Sequence, residues 1–342
     1  MEIQSQIDQL ITELKLPSFY RQTVERWLEP LAKHIIEHRL AFKDDPNTPL
    51  LVGLQGCQGS GKSTASIFLK CLLAHCGKTA VVLSIDDFYL TRKERVELAS
   101  STHPLLVTRG VPGTHDLSLL EQTIDDLGRI DKVGPVAVPR FDKAADDRKP
   151  LASWDIVEEK PDVVILEGWC IGMEPEGESA LDAPCNALEE LEDTDKRWRL
   201  YVNQSLKGYQ KLYQRIDMLI VLAAPSFECV YAWRERQEQK LRDLVRVAGV
   251  AGSASAAIIQ GGTVSASDSS KDDSQKTPGQ AVSVNSTRPA LSASAVMSPA
   301  EVKRFISHYQ RLTEHGLKTL PEKADWWFEL GSDQAIKRVE IK

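Results

Sequence analysis

This chain lacks a C-x-x-C pair among its six cysteines, and it lacks any apolar run that approaches the ~18 residues needed to cross a membrane. Its first residues are polar and acidic, without the basic and apolar character of a signal or transit peptide. These absences predict reduced thiols, no membrane partner and a cytoplasmic location, with access to the nucleus left open.

The chain also lacks an excess of basic residues. It carries 42 lysines and arginines against 49 aspartates and glutamates, which gives a net charge of −7. This balance argues against nucleic acid as a partner. The length of 342 residues and the hydrophobic content of 42% are typical of a soluble globular protein. We expect a single domain over residues 1–342 with no obligate protein partner.

Short apolar runs alternate with helical stretches along the chain. Such alternation predicts an α/β fold with a doubly wound, parallel, five-stranded sheet flanked by helices. The predicted strands are Leu50–Leu54, Thr79–Ile85, Asp162–Leu166, Asp217–Leu222 and Trp326–Leu330.

Two further segments stand apart from this alternation. Residues 1–45 have helical periodicity and predict N-terminal helices, separated at Pro17 and kinked at Pro30. Residues 249–296 consist mainly of Ala, Ser, Gly, Gln, Asp and Thr, and no aromatic residue occurs between Trp233 and Phe305. Because such a segment buries little apolar surface, we predict a disordered low-complexity insertion, after which Ser298 and Glu301 form a capping box for a further helix.

A glycine-rich motif follows the first predicted strand. Its residues G-C-Q-G-S-G-K-S match G-x-x-x-x-G-K-[ST], in which backbone N–H groups and a helix N-terminus surround phosphate oxygens. Lys62 adds a full charge near the β- and γ-phosphates, and the Ser63 hydroxyl is a ligand for Mg²⁺. The candidate nucleotide-binding residues are Gly56, Cys57, Gln58, Gly59, Ser60, Gly61, Lys62, Ser63 and Thr64. The helix N-terminus and Lys62 also predict a lowered pKa for the Cys57 thiol, and protection of this thiol by bound Mg-ATP.

Carboxylates follow two other predicted strands. Side chains at the carboxyl ends of parallel strands face the ligand crevice, where a carboxylate can accept the proton of an attacking hydroxyl. Asp86 is our candidate base and Asp87 is the alternative, although both can also be helix caps. The apolar run before Glu167 predicts a Walker-B acid that holds Mg²⁺, with a cap or a solvated acid as the alternative.

A helix with four basic residues, Arg234, Arg236, Lys240 and Arg242, follows the fourth strand. Arginines that close over the phosphates stabilise charge in the transition state, whereas a solvated face interleaved with glutamates is the alternative interpretation. Arg234 is the candidate catalytic arginine.

Two loops are candidates for binding the second substrate. Thr108–Asp116 and Pro139–Arg148 mix cations, acids and turn formers outside any apolar periodicity. Phe141 is their only aromatic residue, so we expect a compact anionic acceptor and no aromatic slot for a nucleobase. The candidate substrate-binding residues are Asp87, Tyr89, Arg109, His115, Asp116, Arg140, Asp142, Lys143 and Arg148, while ordinary solvent-exposed loops are the alternative.

Taken in order, these motifs resemble a known family. They read G-C-Q-G-S-G-K-S, S-I-D-D-F-Y, R-G-V-P-G-T-H-D, R-F-D-K with D-D-R, L-E-G-W and Y-A-W-R-E-R-Q-E. The set resembles the plant- and fungal-type D-glycerate 3-kinases, within the group that includes phosphoribulokinase, uridine kinase and pantothenate kinase. The resemblance covers about residues 1–245 and 298–342. It implies a P-loop kinase fold, Mg-ATP as donor and transfer to a small hydroxylated acceptor, with Asp86 as base, Lys62 and Ser63 on phosphate and Mg²⁺, and Glu167 as the Walker-B acid.

Other functions are compatible with a P-loop. A kinase for a nucleoside, pantothenate or a sugar shares most of these motifs, and a non-catalytic nucleotide-binding protein needs no base. A regulatory GTPase requires an N-K-x-D element and a motor ATPase a D-E-x-x box, and the sequence contains neither. The segment Gly331–Gln334 is the candidate loop beside the adenine.

The P-loop assignment predicts the effect of one substitution. Lys62→Ala is expected to abolish turnover and weaken ATP binding, because loss of a charge from a closed phosphate site removes about 3–4 kcal/mol of transition-state stabilisation. Steady-state kinetics measure the loss, and an unchanged thermal melt establishes that the fold is intact. A normal kcat in this variant would contradict the assignment.

Overall fold

The structure is a computed structural model that describes residues 3–42, 48–258 and 297–342. Strands of the described residues are β1 (Leu50–Gly56), β2 (Ala80–Ser84), β3 (Val136–Val138), β4 (Phe141–Asp142), β5 (Asp147–Arg148), β6 (Asp155–Val157), β7 (Val163–Gly168), β8 (Met218–Ala223), β9 (Trp326–Leu330) and β10 (Ile336–Ile341). The helices are α1 (Ile3–Glu13), α2 (Tyr20–Thr23), α3 (Glu29–Phe42), α4 (Lys62–His75), α5 (Arg92–Ser101), α6 (Leu117–Gly128), α7 (Ile130–Val133), α8 (Ala187–Glu192), α9 (Arg197–Tyr213), α10 (Phe227–Ile258) and α11 (Pro299–Thr319).

The main sheet has the strand order β10-β9-β8-β1-β7-β2. Every pairing in it is parallel except that of β10 with β9. All residues of β1, β7 and β8 are buried, as expected for parallel strands that are covered by helices on both faces. The predicted doubly wound parallel sheet is therefore confirmed.

The predicted number of five strands is wrong, because β10 adds an antiparallel strand at the edge. The residues of β10 are all exposed or half-buried, and they include Lys337, Arg338 and Glu340. A charged edge strand lacks the apolar run by which the other five strands were recognised, and its charges protect the open edge from pairing with another chain.

The N-terminal helices pack on α4, which covers one face of β1, β2 and β7. Their contacts include the Tyr20 ring, 5.3 Å from the ring of Phe68 on α4, and Trp27, which meets Phe328 of β9 edge-on. A π-helical turn at Val24–Leu28 joins α2 to α3, just before Pro30. Proline has no N–H to donate to the preceding turn, so the irregularity lies next to the predicted kink.

The segment between β2 and β7 contains four short strands that the sequence did not predict. Antiparallel β3 and β6 form a small sheet, and β4 and β5 pair as a hairpin over residues 141–148. Strands of two or three residues are too short to give a periodic pattern in a sequence. This hairpin carries several of the candidate substrate-binding residues.

The predicted insertion differs from the structure at its first residues. Helix α10 continues to Ile258, so that residues 249–258, predicted as disordered, are helical. Residues 259–296 lie outside the described part of the chain. The capping box predicted at Ser298 and Glu301 is present at the start of α11, with Pro299 in the first turn. Within the described residues, no helix is long and apolar enough to cross a membrane.

Two buried histidines predict how stability depends on pH. Burial lowers the pKa of His308, on α11, from 6.5 to about 4, and it lowers that of His115 to about 4 as well. The unfolded chain therefore binds these protons first, so the free energy of unfolding falls as the pH drops from about 6.5 towards 4. Between pH 7 and pH 5 the free energy of unfolding is expected to fall by about 2 kcal/mol less in His308→Gln than in the unsubstituted chain. Urea unfolding at both pH values measures this difference.

The exposed His75, at the end of α4, provides the control. His75→Gln is expected to leave the difference in unfolding free energy between the two pH values as it is in the unsubstituted chain. If His308→Gln also leaves that difference unchanged, the folded and unfolded chains bind a proton at His308 equally, and the prediction is wrong.

Candidate active site

The glycine-rich motif forms a loop between the end of β1 at Gly56 and the start of α4 at Lys62. Gly59 and Gly61 have φ angles of +83° and +89°, which residues with a Cβ rarely adopt. At Gly59 a Cβ would also lie 2.7 Å from the Cβ of Trp233. No side chain caps α4 at Gly61. The first N–H groups of α4 are therefore available to phosphate oxygens.

Lys62, Ser63 and Glu167 meet at the carboxyl ends of β1 and β7. The Ser63 hydroxyl donates to one carboxylate oxygen of Glu167 over 3.1 Å, and the Lys62 ammonium lies 3.9 Å from the other. Glu167 is buried, and its Oε2 atom has no hydrogen-bond partner among the described residues. A buried carboxylate oxygen beside a hydroxyl is the donor set that Mg²⁺ prefers, so these residues fit a magnesium site.

Asp86 lies in the 3-10 turn Ile85–Phe88 that follows β2. The Tyr89 hydroxyl donates to its Oδ1 over 2.7 Å, and the Lys143 ammonium donates to its Oδ2 over 2.8 Å. Burial raises the pKa of Asp86, but Lys143, Lys62 and these hydrogen bonds outweigh burial and hold the pKa well below its usual range. Asp86 is therefore an ionised carboxylate at neutral pH.

The glycine-rich loop from Gly56 to Ser63 is called the phosphate loop below. A cavity of about 290 Å³ joins it to Asp86. Its charged lining consists of four basic side chains, Lys62, Arg109, Lys143 and Arg234, and one acidic side chain, Asp86. The rest of the lining comprises Gln58, Gly59, Gly61, Ser63, Thr64, Tyr89, Trp169, Gln237, Phe305 and Tyr309. Such a cavity suits an anionic ligand.

A larger cavity, of about 490 Å³, adjoins Leu51 and Val164, near the amino-terminal ends of β1 and β7. It is lined by Asp125 and Arg215, which pair with each other at 2.6 Å. Ligands of parallel α/β sheets bind at the carboxyl ends of the strands. The smaller cavity is therefore the candidate active site, despite its volume.

Arg109 reaches the cavity from the loop before α6. Its guanidinium pairs with Asp146, donates to the Lys143 carbonyl over 3.4 Å and lies over the Phe141 ring. Asp146 is in turn held by Arg95, which is fully buried and lies 3.0 Å from the Asp146 carboxylate. The position of Arg109 therefore depends on the hairpin of β4 and β5.

Arg234 is the only residue of the predicted basic cluster on α10 that lines the cavity. It pairs with the buried Glu238 and lies over the Phe305 ring, 5.6 Å from its centroid. Arg236 donates instead to the Ser332 carbonyl, and Arg242 pairs with Glu235. Lys240 is exposed.

Arg140 and Asp87 are placed differently from the sequence-based prediction. Arg140 pairs with Asp87 at 2.9 Å and with Asp155 at 2.7 Å, and Asp87 also accepts the Phe141 N–H over 3.0 Å. Neither residue lines the cavity. Their partners fix the hairpin to the turn after β2, so both residues have structural contacts and no position on the cavity.

Four other predicted substrate-binding residues also lie outside the cavity lining. Asp116 caps the N-terminus of α6 and pairs with Arg148 at 3.1 Å. Asp142 accepts the N–H groups of the two residues after Lys143. His115 is buried, stacks on Tyr89 and bonds the Tyr209 hydroxyl over 2.7 Å. These side chains have structural partners that a sequence does not reveal.

The aromatic residues that line the cavity come from outside the two candidate loops, whose only aromatic residue is Phe141. Tyr89, Trp169, Phe305 and Tyr309 line the cavity. The Tyr309 hydroxyl donates to the Arg109 carbonyl over 3.2 Å, and the Trp169 indole N–H donates to the Gly110 carbonyl over 2.8 Å. Sequence reasoning missed Phe305 and Tyr309 because they come from α11. The available signal was their spacing of four residues, which places both on one helix face.

The predicted reactivity of Cys57 is also wrong. Its side chain is buried, and burial raises the pKa of the thiol to about 12, although the charge of Lys62 acts in the opposite direction. Desolvation of the thiolate outweighs the nearby positive charge. Cys57 therefore contributes its backbone to the phosphate loop and is not a reactive thiol.

Known proteins resemble this chain in sequence, although no protein-family profile matches it. It is 35% identical over 207 residues to an uncharacterised kinase of Schizosaccharomyces pombe, across 57% of this chain and 72% of that protein. It is 33% identical over 214 residues to the chloroplastic D-glycerate 3-kinase of Arabidopsis thaliana, across 60% of this chain. The match spans only 44% of the plant protein.

A solved structure resembles the fold. The D-glycerate 3-kinase from Cryptococcus neoformans superposes with a TM-score of 0.65 at 24% sequence identity, over 95% of this chain and all of the other. At this identity the likeness establishes the fold.

The geometry predicts different effects for the two neighbouring aspartates. Asp86→Asn is expected to lower kcat by about 10²–10⁴-fold with little change in ATP affinity, because a general base acts mainly in the transition state. Asp87→Asn is the matched control. It weakens the contacts to Arg140 and the Phe141 N–H, so the melting temperature is expected to fall while kcat changes less than about tenfold. A larger kcat loss in Asp87→Asn would show that Asp87 is the base.

Proposed function

Since this chain belongs to the family of P-loop kinases that includes the fission-yeast kinase and the plant D-glycerate 3-kinase, we propose that it transfers the γ-phosphate of ATP to the terminal hydroxyl of D-glycerate. One observation carries the proposal. The ionised Asp86 and the guanidinium of Arg109 line the same cavity as the phosphate loop. A base and a carboxylate-binding group thus lie together beside the bound phosphates.

In this proposal the phosphates of ATP lie on the phosphate loop, with its nucleoside in one adjoining cavity and its γ-phosphate in another. The loop glycines, the start of α4 and the Lys62 ammonium surround the β- and γ-phosphates. A second cavity beside the phosphate loop, of about 260 Å³, shares Gly59, Gly61, Thr64 and Gln237 with the first. This arrangement supports a nucleoside in the second cavity and a γ-phosphate in the first.

The second cavity offers flat and apolar surfaces to an adenine. Leu16, Pro17, Phe19 and Tyr20 line one part of it, and the turn from Asp333 to Ile336 lines another. This turn is fastened to the loop, because the Gln334 amide donates to the Gly59 carbonyl. The position supports the expectation from sequence that Gly331–Gln334 lies beside the adenine.

Mg²⁺ fits between Ser63 and Glu167, where a buried carboxylate oxygen has no hydrogen-bond partner in the part of the chain that the structure describes. When bound, the ion neutralises charge on the β- and γ-phosphates and orients them for displacement. The chain contributes the hydroxyl of Ser63 and the carboxylate of Glu167, and Lys62 lies close enough to the same carboxylate to orient it.

In the proposed reaction, Asp86 accepts the proton of the acceptor hydroxyl. The hydroxyl oxygen forms a bond to the γ-phosphorus while the bond from phosphorus to the β–γ bridging oxygen breaks, and ADP keeps that electron pair. Arg234 lines the same cavity and stabilises the charge that develops on the transferred group. The six cysteines are unpaired, which supports a reducing compartment such as the cytoplasm for this reaction.

Arg109 is the proposed site for the carboxylate of glycerate. A guanidinium binds a carboxylate through two parallel hydrogen bonds, which also fixes the direction of the rest of the molecule. The excess of basic over acidic side chains in the cavity favours an acceptor that is itself an anion.

The aromatic residues of the cavity do not form a parallel slot for a nucleobase. Trp169 and Tyr309 meet each other at 81°, and both are almost completely buried. Tyr89 is likewise buried against the His115 ring. Faces that already pack on protein offer little surface for stacking, so these rings act as walls that restrict the acceptor to a compact molecule.

This assignment predicts a specific kinetic defect. Arg109→Ala is expected to raise the KM for D-glycerate by about 10–100-fold while the KM for ATP changes less than threefold, because a charge-assisted carboxylate contact contributes about 1.5–3 kcal/mol. Coupled ADP-release kinetics with each substrate varied in turn measure both constants. Arg140→Ala is the matched control, and its KM values are expected to stay near those of the unsubstituted protein.

The acceptor itself is tested with a panel of D-glycerate, pantothenate, uridine and sugars. Turnover of uridine or pantothenate with none of glycerate would replace the substrate and retain the phosphoryl-transfer mechanism. ATP binding without ADP release for any acceptor would favour a nucleotide-binding protein that lacks kinase activity.

A further inference from the structure

Lys143 occupies the place where an acceptor hydroxyl must bind. Its ammonium lies 2.8 Å from Oδ2 of Asp86, and the Tyr89 hydroxyl takes Oδ1. Tyr89 is buried, whereas the Lys143 side chain is 63% exposed. Of the two partners of the base, Lys143 is therefore the one that is free to move.

The backbone that carries Lys143 is held in place. Asp142 accepts the N–H groups of Ala144 and Ala145, and Arg109 donates to the carbonyl of Lys143 itself. The hairpin of β4 and β5 thus fixes the Cα position of this lysine, while its four-carbon side chain remains mobile. A fixed stem with a mobile ammonium can change partners without a change in the fold.

We infer that Lys143 is a catalytic residue of the phosphoryl transfer, which neutralises Asp86 in the free protein and moves to the transferred phosphoryl group when the acceptor hydroxyl binds to Asp86. The inference rests on the proposed function and concerns the same cavity. It follows from distance, since an ammonium at 2.8 Å from the carboxylate oxygen lies next to any hydroxyl hydrogen-bonded to that oxygen. The hydroxyl oxygen is the atom that bonds to phosphorus, so the ammonium lies beside the new bond.

Lys143 remains protonated throughout the step. The hydroxyl proton goes to Asp86, the hydroxyl oxygen bonds to phosphorus, and ADP leaves with the electron pair of the broken bond. The positive charge of Lys143 thereby stays in the cavity. The ammonium of Lys143 leaves a carboxylate that becomes neutral on protonation and contacts phosphoryl oxygens on which negative charge develops.

The surroundings of Asp86 support an exchange of partners. Burial disfavours an ionised Asp86, and the ammonium of Lys143 is the strongest of the influences that lower its pKa. The other ionisable groups that interact electrostatically with Asp86 are Lys62 on α4, Tyr89, Cys170 after β7, His115 before α6 and Tyr309 on α11. When Lys143 leaves Asp86, the pKa of the carboxyl rises, and Asp86 becomes a better proton acceptor as the hydroxyl arrives.

The test compares Lys143→Met and Lys143→Arg with the unsubstituted protein. In Lys143→Met we expect kcat to fall about 100-fold, the size of effect seen when one oxyanion-stabilising group is removed. The KM for ATP is expected to change less than threefold. The acid limb of kcat/KM is expected to move to higher pH, because Asp86 loses its counter-ion. Lys143→Arg keeps the charge and is expected to restore most of kcat and the position of the acid limb.

Lys149→Met is the matched control. Lys149 is exposed and follows the same hairpin, and its backbone, through its N–H and its carbonyl, makes its hydrogen bonds to Arg140 and Trp154. Its kcat and acid limb are expected to match those of the unsubstituted protein. Equal thermal melts for the four proteins establish that each is folded.

Three results would overturn the inference. An unchanged or higher kcat in Lys143→Met would show that the lysine only masks the base. A rise confined to the KM for the acceptor would make it a binding residue. An acid limb that stays in place would show that it does not control Asp86.

ATP hydrolysis without an organic acceptor separates this inference from the proposed function. Water then attacks the same phosphorus, so Lys143→Met is expected to lower the hydrolysis rate by a factor similar to that for kcat. If glycerate is not phosphorylated by the unsubstituted protein, the proposed substrate fails, and the hydrolysis rates still decide the role of Lys143. Equal hydrolysis rates with and without the lysine would refute it.

Discussion

The parallel pairing of β7 with both β1 and β2 is the constraint on which the active site depends. In this register Glu167 lies opposite Leu54 of β1 on one side and Ser84 of β2 on the other. The carboxyl ends of these three strands therefore lie side by side. They carry the phosphate loop, the buried Glu167 and the turn with Asp86. All residues of β7 are buried, so a change in register would move apolar side chains out of the core. The geometry of the candidate site is thus fixed by core packing rather than by contacts among the candidate catalytic residues.

The part of the candidate site that carries Arg109 and Lys143 is organised by a buried arginine. Arg95 donates to the carbonyls of Leu90, Val107 and Asp146, and it also pairs with the Asp146 carboxylate. It thereby joins the segment after the candidate base, the loop that leads to Arg109 and the hairpin of β4 and β5. A buried guanidinium has to satisfy its donors, and these three carbonyls do so only in one arrangement of the segments. The rigid part of the acceptor site is therefore specified by a residue that does not line the cavity.

Local patterns in the sequence predicted the structural features that depend on residues close together in the chain. Five strands, the phosphate loop at Gly56–Ser63 and the cap at Ser298 are each encoded within about ten residues, and the structure has them all. The sequence also pointed to Arg109 and Lys143, which do line the cavity. It could not separate them from Arg140, because these basic residues lie on similar loops. All three pair with acidic side chains, but the partners of Arg140, Asp87 and Asp155, hold it away from the cavity.

Features that depend on distant residues were beyond prediction. Tyr309 contacts the backbone of Arg109 across 200 positions of the sequence. The thiol of Cys57 lies beside a lysine and a helix N-terminus, and only its burial reverses the expected direction of its pKa. The charged strand β10 has no apolar run. In each case a tertiary contact or a burial outweighs the local pattern.

The contact between Tyr309 and Arg109 also determines when the site is completed during synthesis. A ribosome produces the phosphate loop and both candidate loops early, but α11 follows them by more than 150 residues. Until Phe305 and Tyr309 emerge, the cavity lacks two of its walls, and the Arg109 carbonyl lacks its hydroxyl donor. A growing chain therefore carries the glycine-rich loop and Asp86 well before the residues that complete the cavity around them. The cavity can therefore be enclosed only after the C-terminal part of the chain has been synthesised.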